Sequence, residues 1–359
     1  MKQLLLKHGL NVLLLFVPAA LACFFLHLDE TWAFATSALA LIPLAGKMGD
    51  ATEKISDHAG PALGGLLNAT FGNAAELILA IVGLMAGQDV LVKASLTGSI
   101  IGNLLLVLGA AAFAGGIGRE KQTFPATAAS TSASMLLVSV TALLAPAVLH
   151  QTHGVSAEAY GPLSGGTSIV LLVSYIGGLI FSLKTHSHLY DLADVAHDDA
   201  DPEGAAEPLW KPIVTLVVVT VGVATMAEIL VHTVEHAVSR FGLSPTFVGV
   251  VVVAVVGNAA EHSTAVWMAL KDRMDIAVAI SVESSKQVAL FVAPCVVLAS
   301  VPLRGTWLTL EFSAPEIIAL LMCTIILNFV THDGETNWLE GFQLLALYAV
   351  LAIMFYFVP

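Results

Sequence analysis

Charge is scarce in this chain. Only 11% of its 359 residues are Asp, Glu, Lys or Arg, against about 25% in an average soluble domain. That shortage excludes an ordinary water-soluble fold. Cysteine is scarce as well. Cys23, Cys295 and Cys323 all fall in apolar runs and no Cys-x-x-Cys occurs, so neither a disulfide framework nor a thiolate metal site is implied. There is no excess of basic residues. The formal charge is −13, which excludes nucleic acid as a partner. Gly115-Gly116 and similar glycine-rich stretches lack phosphate-loop spacing. What the chain has is apolar length: 57% of its residues are hydrophobic and its mean hydropathy is +0.87. This composition belongs to a polytopic membrane protein, with the lipid bilayer as its first partner. The sequence leaves room for a homo-oligomer.

At about 20 residues per span, eleven candidate transmembrane helices are expected, near residues 10–28, 31–47, 60–86, 94–116, 125–149, 166–185, 211–239, 243–270, 275–302, 315–332 and 338–358. Lys2 and Lys7 precede the first, which lacks a small-residue cleavage site and reads as a retained helix. With the N-terminus cytoplasmic, one side collects Lys2, Lys7, Lys47, Lys54, Arg119, Lys121, Lys184, Lys211, Lys271 and Arg273. The other side holds Lys93, Arg240 and Arg304. Basic residues gather on the cytoplasmic side of membrane proteins, so the C-terminus is expected outside.

The pentapeptide Gly-Asn-Ala-Ala-Glu occurs twice, at residues 72–76 and 257–261, 185 residues apart. In the apolar stretch 59–85 the only ionisable residue is Glu76. In 243–270 there are only Glu261 and His262. A carboxylate at mid-membrane depth costs about 2.5–3.5 kcal/mol on insertion scales, so two of them in matching settings need a reason. Setting the first helix aside, each copy falls in the second helix of a set of five. Five is odd, so the second set is inserted upside down. The expected fold is therefore an all-α integral membrane protein of eleven helices. An extra N-terminal helix (1–30) precedes a five-helix repeat (31–185), an acidic cytoplasmic linker (186–210) and a second, inverted five-helix repeat (211–359). The linker carries Asp191, Asp194, Asp198, Asp199, Asp201, Glu203 and Glu207 without the pattern of an EF-hand loop. It reads as a solvated connection, or as a cation attractor at the cytoplasmic face.

Each residue of the repeated motif has a use. Gly72 and Gly257 permit close backbone approach and a break in the helix that frees carbonyls. Asn73 and Asn258 offer neutral oxygens and share a helix face with Glu76 and Glu261, three residues on. Two carboxylates and two amides make a hard-oxygen site suited to Ca²⁺, Mg²⁺ or Mn²⁺. Two ionised carboxylates neutralise one divalent cation. When it leaves, desolvation and mutual repulsion favour protonation. One site then binds a divalent cation or protons in competition, which is the physical basis of an antiporter. The alternative is a pair of buried, protonated structural glutamates. The next helix of each half adds Ser99 and Asn103, or Ser284, Ser285 and Gln287. These either complete the ligand shell or hold helices together.

Residues 63–76, Leu-Gly-Gly-Leu-Leu-Asn-Ala-Thr-Phe-Gly-Asn-Ala-Ala-Glu, resemble the first signature of the calcium/proton exchangers, the cation/proton exchanger family of the cation/calcium exchanger superfamily. Residues 257–262, Gly-Asn-Ala-Ala-Glu-His, resemble the second. Asp333-Gly334, Asn337-Trp338 and Glu340-Gly341 resemble the family's C-terminal loop. The resemblance implies an eleven-helix fold, Glu76 and Glu261 as the essential carboxylates, and Asn73, Asn103, Asn258 and Gln287 lining the site. It also implies transported Ca²⁺ and H⁺, no cofactor, and no enzymatic activity. In one departure, Glu283 and Lys286 stand where the family carries small or neutral residues. Three apart, they form an ion pair on one helix face, or else Lys286 points into the site as a tethered counter-charge.

Other signals are weaker. His232, Glu235 and His236 fit a His-x-x-Glu-His zinc pattern, without a soluble domain to use it. Glu228, four residues before His232, is a candidate gate or proton-path residue, or its packed partner. His262, about 100° around the helix from Glu261, is a candidate proton relay, or a packing histidine. The expected function is exchange of cytosolic Ca²⁺ for external H⁺ across a prokaryotic plasma membrane. The alternative is a Na⁺-coupled exchanger or one for Mn²⁺ or Na⁺. A passive channel and an intramembrane protease fit less well, since neither explains the paired glutamates.

Overall fold

A computed structural model describes residues 11–59, 61–152, 156–187 and 208–358. Most of the acidic segment 186–210, with Lys2 and Lys7, lies outside the described residues. The rest is a helical bundle. In chain order its elements are α1 (Leu13–Phe25), α2 (Glu30–Ala59), α3 (Pro61–Phe71), α4 (Ala74–Met85), α5 (Asp89–Gly116), α6 (Ala126–Gln151), α7 (Ala157–Thr185), α8 (Trp210–Phe241), α9 (Pro245–Gly257), α10 (Ala259–Leu270), α11 (Met274–Arg304), α12 (Ala314–Val330) and α13 (Trp338–Phe357).

Among the described residues, six of these (α5, α6, α7, α8, α11 and α13) are long and apolar enough to cross a membrane. The pair α9 and α10, bent by 61° at its break, passes the same test when the two are taken together. Large apolar side chains such as Val138, Val170, Val173, Val218, Phe329 and Ile353 are exposed on the outer faces. In water such a surface would drive aggregation, and in lipid it is the solvated face.

Two helices run longer than their expected spans by nine residues or more. α2 continues twelve residues beyond 47 because its last turns are amphipathic. Ala51, Thr52 and Ser56 are buried there, while Glu53, Lys54 and Asp57 are exposed. α7 begins at 157 because Pro162 falls in its first α-helical turn, where the missing N–H has no helical acceptor to lose.

The core has two parts. One is built on Leu104, Leu105, Leu136, Leu143, Leu320 and Phe355, from α5, α6, α12 and α13, and includes α11. The other is built on Leu41, Met48, Val223, Met226 and Leu230, where α2 packs along α8 beside α1. At one end of the bundle a two-residue antiparallel ladder, β1 (Gln122–Thr123) with β2 (Glu335–Thr336), joins two loops. Lys121 and Glu335 bridge there at 2.5 Å, and Arg119 bonds the Leu270 carbonyl. At the other end Arg304 pairs with Asp89, and Arg240 with Asp29 at 2.8 Å.

Candidate cation site

Both copies of the repeated pentapeptide are helix breaks. α3 ends at Phe71 and α4 starts at Ala74. α9 ends at Gly257 and α10 starts at Ala259. Asn73 and Asn258 occupy the residue before each new helix with near-identical backbone angles, φ −99° and −100°. Asparagine at this position ordinarily caps the helix it precedes. Here neither side chain does so, which leaves both amides for other partners. Glu76 and Glu261 lie in the first turn of α4 and α10, where the helix dipole favours negative charge.

The amides bond across the bundle. Asn258 Nδ2 donates to Ser99 Oγ of α5 at 3.0 Å. Asn103 Nδ2 of α5 donates to Ser284 Oγ of α11 at 2.9 Å. Asn73 Nδ2 donates to Gln287 Oε1 of α11. Glu76 and Glu261 follow Asn73 and Asn258 by three residues in the first turn of α4 and α10. Residues from four segments, separated by up to 214 positions, thus form one polar cluster inside an apolar bundle. Asn73, Asn103 and Asn258 are at most 1% exposed and Glu76 is 8% exposed. Among the described residues, three oxygens of this cluster have no hydrogen-bond partner: Asn73 Oδ1, Asn258 Oδ1 and Glu261 Oε2. Burying a polar atom unpaired costs about 1–3 kcal/mol, so all three are suited to act as ligand donors. The donors are all oxygen, with two carboxylates, which suits a hard cation as cargo.

α5 and α11 each contain a stretch of π-helix beside the cluster, at Gly102–Val107 and Val288–Val292. Such stretches are over-represented at functional sites because they re-aim side chains and carbonyls.

Other sequence candidates lie apart. Glu228 and His232 are on the exposed face of α8, and the His232 ring packs edge-on to Phe24. His262 is half-buried beside Glu261, with Nε2 unpartnered. Lys286 Nζ donates to Glu283 Oε1 at 2.8 Å, so its charge is engaged along its own helix. Among the described residues, no group of three or more His, Cys, Asp or Glu side chains is placed to hold a metal ion. The zinc pattern of His232, Glu235 and His236 therefore builds no such centre.

Some features were not anticipated from the sequence. Ser132 of α6 donates to Glu283 Oε1 at 2.8 Å. Glu316 is buried, accepts from Thr97 at 3.1 Å and closes a capping box with Ser313. Ser-Ala-Pro-Glu at 313–316 is a capping-box signature, so Glu316 was findable as a cap. Its tie to α5 was not.

The Sodium/calcium exchanger protein family pattern matches residues 30–184 and 211–357. The chain is 44% identical over 358 residues to a Ca(2+)/H(+) antiporter of Aphanothece halophytica, covering 97% of this chain and 96% of the relative. It is also 44% identical over 361 residues to a Ca(2+)/H(+) antiporter of Synechocystis sp., covering 97% of each. The solved structure of native YfkE superposes with a TM-score of 0.83 at 37% identity, over 97% of this chain and all of that one. With its broken helices, buried oxygen cluster and end-to-end similarity to these antiporters, the chain belongs to the sodium/calcium exchanger family of integral membrane transporters, and is not an enzyme.

Proposed function

We propose that this protein is a secondary antiporter that moves Ca²⁺ out of the cytoplasm in exchange for protons, with Glu76 and Glu261 binding the two in turn. The observation that carries this reading is the set of unpartnered oxygens on Asn73, Asn258 and Glu261, buried beside Glu76. Ca²⁺ satisfies them when both carboxylates are ionised. Protons satisfy the carboxylates when it leaves, because two like charges in a poorly solvated place cannot both persist. Ser99, Ser284, Asn103 and Gln287 orient the inner donors. Gly72 and Gly257 permit the breaks.

In this reading the chain has eleven spans. α1 is extra. The spans from α2 to α7 form one five-helix repeat and those from α8 to α13 its inverted copy, with α3–α4 and α9–α10 as the equivalent broken helices. Ser99 and Ser284, also 185 positions apart, fit that relation. The basic-residue bias makes the β1–β2 end cytoplasmic and places the C-terminus outside. The similarity to the antiporters of Aphanothece halophytica and Synechocystis sp. favours a prokaryotic plasma membrane. Ca²⁺ enters from the β1–β2 end, the protein reorients, and external protons displace the ion. No cofactor takes part.

The test is Ca²⁺ uptake into proteoliposomes loaded with acidic buffer in Na⁺-free medium, with lumenal pH recorded alongside. Uptake that requires the pH gradient and alkalinises the lumen is expected. Glu76→Gln and Glu261→Gln should each lose it while eluting as monodisperse protein. Uptake that needs lumenal Na⁺ instead would replace this reading with Na⁺-coupled exchange.

A further inference from the structure

Beside the cation site lies a charged pair that the exchange cycle does not use. α11 carries Glu283 and Lys286 on the same turn as Ser284 and Gln287, the two α11 residues that contact the site. Lys286 is 8% exposed, an unusual position for a lysine. The Glu283 carboxylate is half-buried and accepts from both Lys286 Nζ and Ser132 Oγ of α6, each at 2.8 Å. The pair is thus tethered on a defined side of α11.

The order of residues around that helix decides its effect. At about 100° per residue, Gln287 is about 40° from Glu283 and about 100° from Lys286, and Glu283 lies about 6 Å along the axis from Gln287. The negative member therefore sits on the site's side, and the positive member is turned away from it. A buried pair of opposite charges has no net charge, but it has a direction. In a poorly polarisable interior that direction is felt over several ångströms. In the repeat relation described above, the equivalents of Glu283 and Lys286 in α5 are Gly98 and Ile101. The first half has no such device.

We propose that Glu283 and Lys286 form an electrostatic tuning pair, a specificity-determining element flanking the site, whose carboxylate end strengthens cation binding and whose ammonium end is held off it by Glu283 and Ser132. The proposal rests on the exchange reading. It separates the two members by sign. Removing Glu283 releases an unpaired buried ammonium next to Gln287, which repels the cargo. Removing Lys286 leaves an uncompensated carboxylate there, which attracts it. A brace that merely holds α11 against α6 would instead make both losses harmful alike.

The experiment measures KM and maximal rate of proton-driven Ca²⁺ uptake in proteoliposomes for Glu283→Gln, Lys286→Met and the double variant, each first checked for monodispersity in detergent. Glu283→Gln should raise the KM about tenfold or more. Lys286→Met should lower it, and the double variant should fall between. Exchanging the pair (Glu283→Lys with Lys286→Glu) keeps both charges matched and reverses their direction. Its KM should rise even where a single variant fails to fold. Equal rises in both single variants, or no change in either and none in the exchanged pair, would overturn the proposal. Wild-type uptake and its loss in Glu76→Gln report separately on the exchange reading, so failure of one does not pass for failure of the other.

Discussion

The α5–α9 contact and the stretch of α11 that the proposed repeat sets in correspondence with α5 differ at their tightest point. A side-chain carbon at Gly98 would strike the backbone of Val250, and one at Gly249 would strike Ala94 and the Leu91 carbonyl. The two helices therefore approach backbone to backbone, and only glycine allows it. In the proposed repeat the same positions of the other half are Glu283 for Gly98, Ala279 for Ala94 and Gly64 for Gly249. Where glycine allows a backbone contact in one half, the proposed counterpart in the other half carries a glutamate.

The comparison can be broken first at the site itself, where the halves should count equally. Glu76→Gln and Glu261→Gln should both reduce proton-driven uptake to background, the largest effect expected. A variant retaining uptake would show that only one half carries the ion. Next come the amides. Asn73→Ala and Asn258→Ala each remove one unpartnered oxygen and one cross-bundle bond. Each should raise the KM for Ca²⁺ about tenfold, since a hydrogen bond to a charged or buried group contributes about 1.5–3 kcal/mol.

The two stretches should respond unequally. Gly98→Leu overpacks the backbone contact with α9 and should destabilise the protein by about 1–3 kcal/mol, read as a lower melting temperature in detergent. Ala279→Leu, at a half-buried position of α11, should shift it much less. Equal shifts would erase the contrast. Glu316→Gln should cost about 1–2 kcal/mol by weakening the tie to Thr97 and the capping box, measured in the same way.

The smallest effect is expected at Asp29, between α1 and α2. Hydrogen bonds from Thr31, then Arg240 and His236, hold its carboxyl below the ordinary value of 3.8. A carboxyl depressed in the folded state stabilises above its unfolded value, and that contribution is lost as pH falls through the folded one. Asp29→Asn should therefore lower the melting temperature slightly at neutral pH, and match wild type once the pH is well below 3.8. The group is solvent-exposed, so the difference should be small.

Much of this was legible in the sequence. Two glutamates in otherwise uncharged apolar runs pointed to the candidate site that we propose, and glycine–asparagine before each pointed to the breaks, because isolated ionisable residues and helix interruptions are tolerated in a membrane only for a purpose. The partners were not legible. Asn258 bonds Ser99 across 159 positions, and nothing local in either segment specifies the other. Ser132 was invisible for the same reason. The end of α2 was misplaced because a hydropathy reading stops at Asp50 and Glu53, whereas the helix continues by turning those charges outward. The β1–β2 ladder was too short to leave a pattern.

The main interfaces of this bundle join early chain to late chain. α2 lies along α8, α5 against α9 and α10, α6 against α11 and α12, and α13 against α5. For a chain made from one end, this sets a timetable. When synthesis has passed Thr185, Asn73, Glu76, Ser99 and Asn103 are in place and every cross-bundle partner described for them is still unmade. The polar cluster can therefore close only once α9, α10 and α11 have been made. The same cross-bundle bonds that gather the amides thus make the first half an unfinished structure until the second half is synthesised.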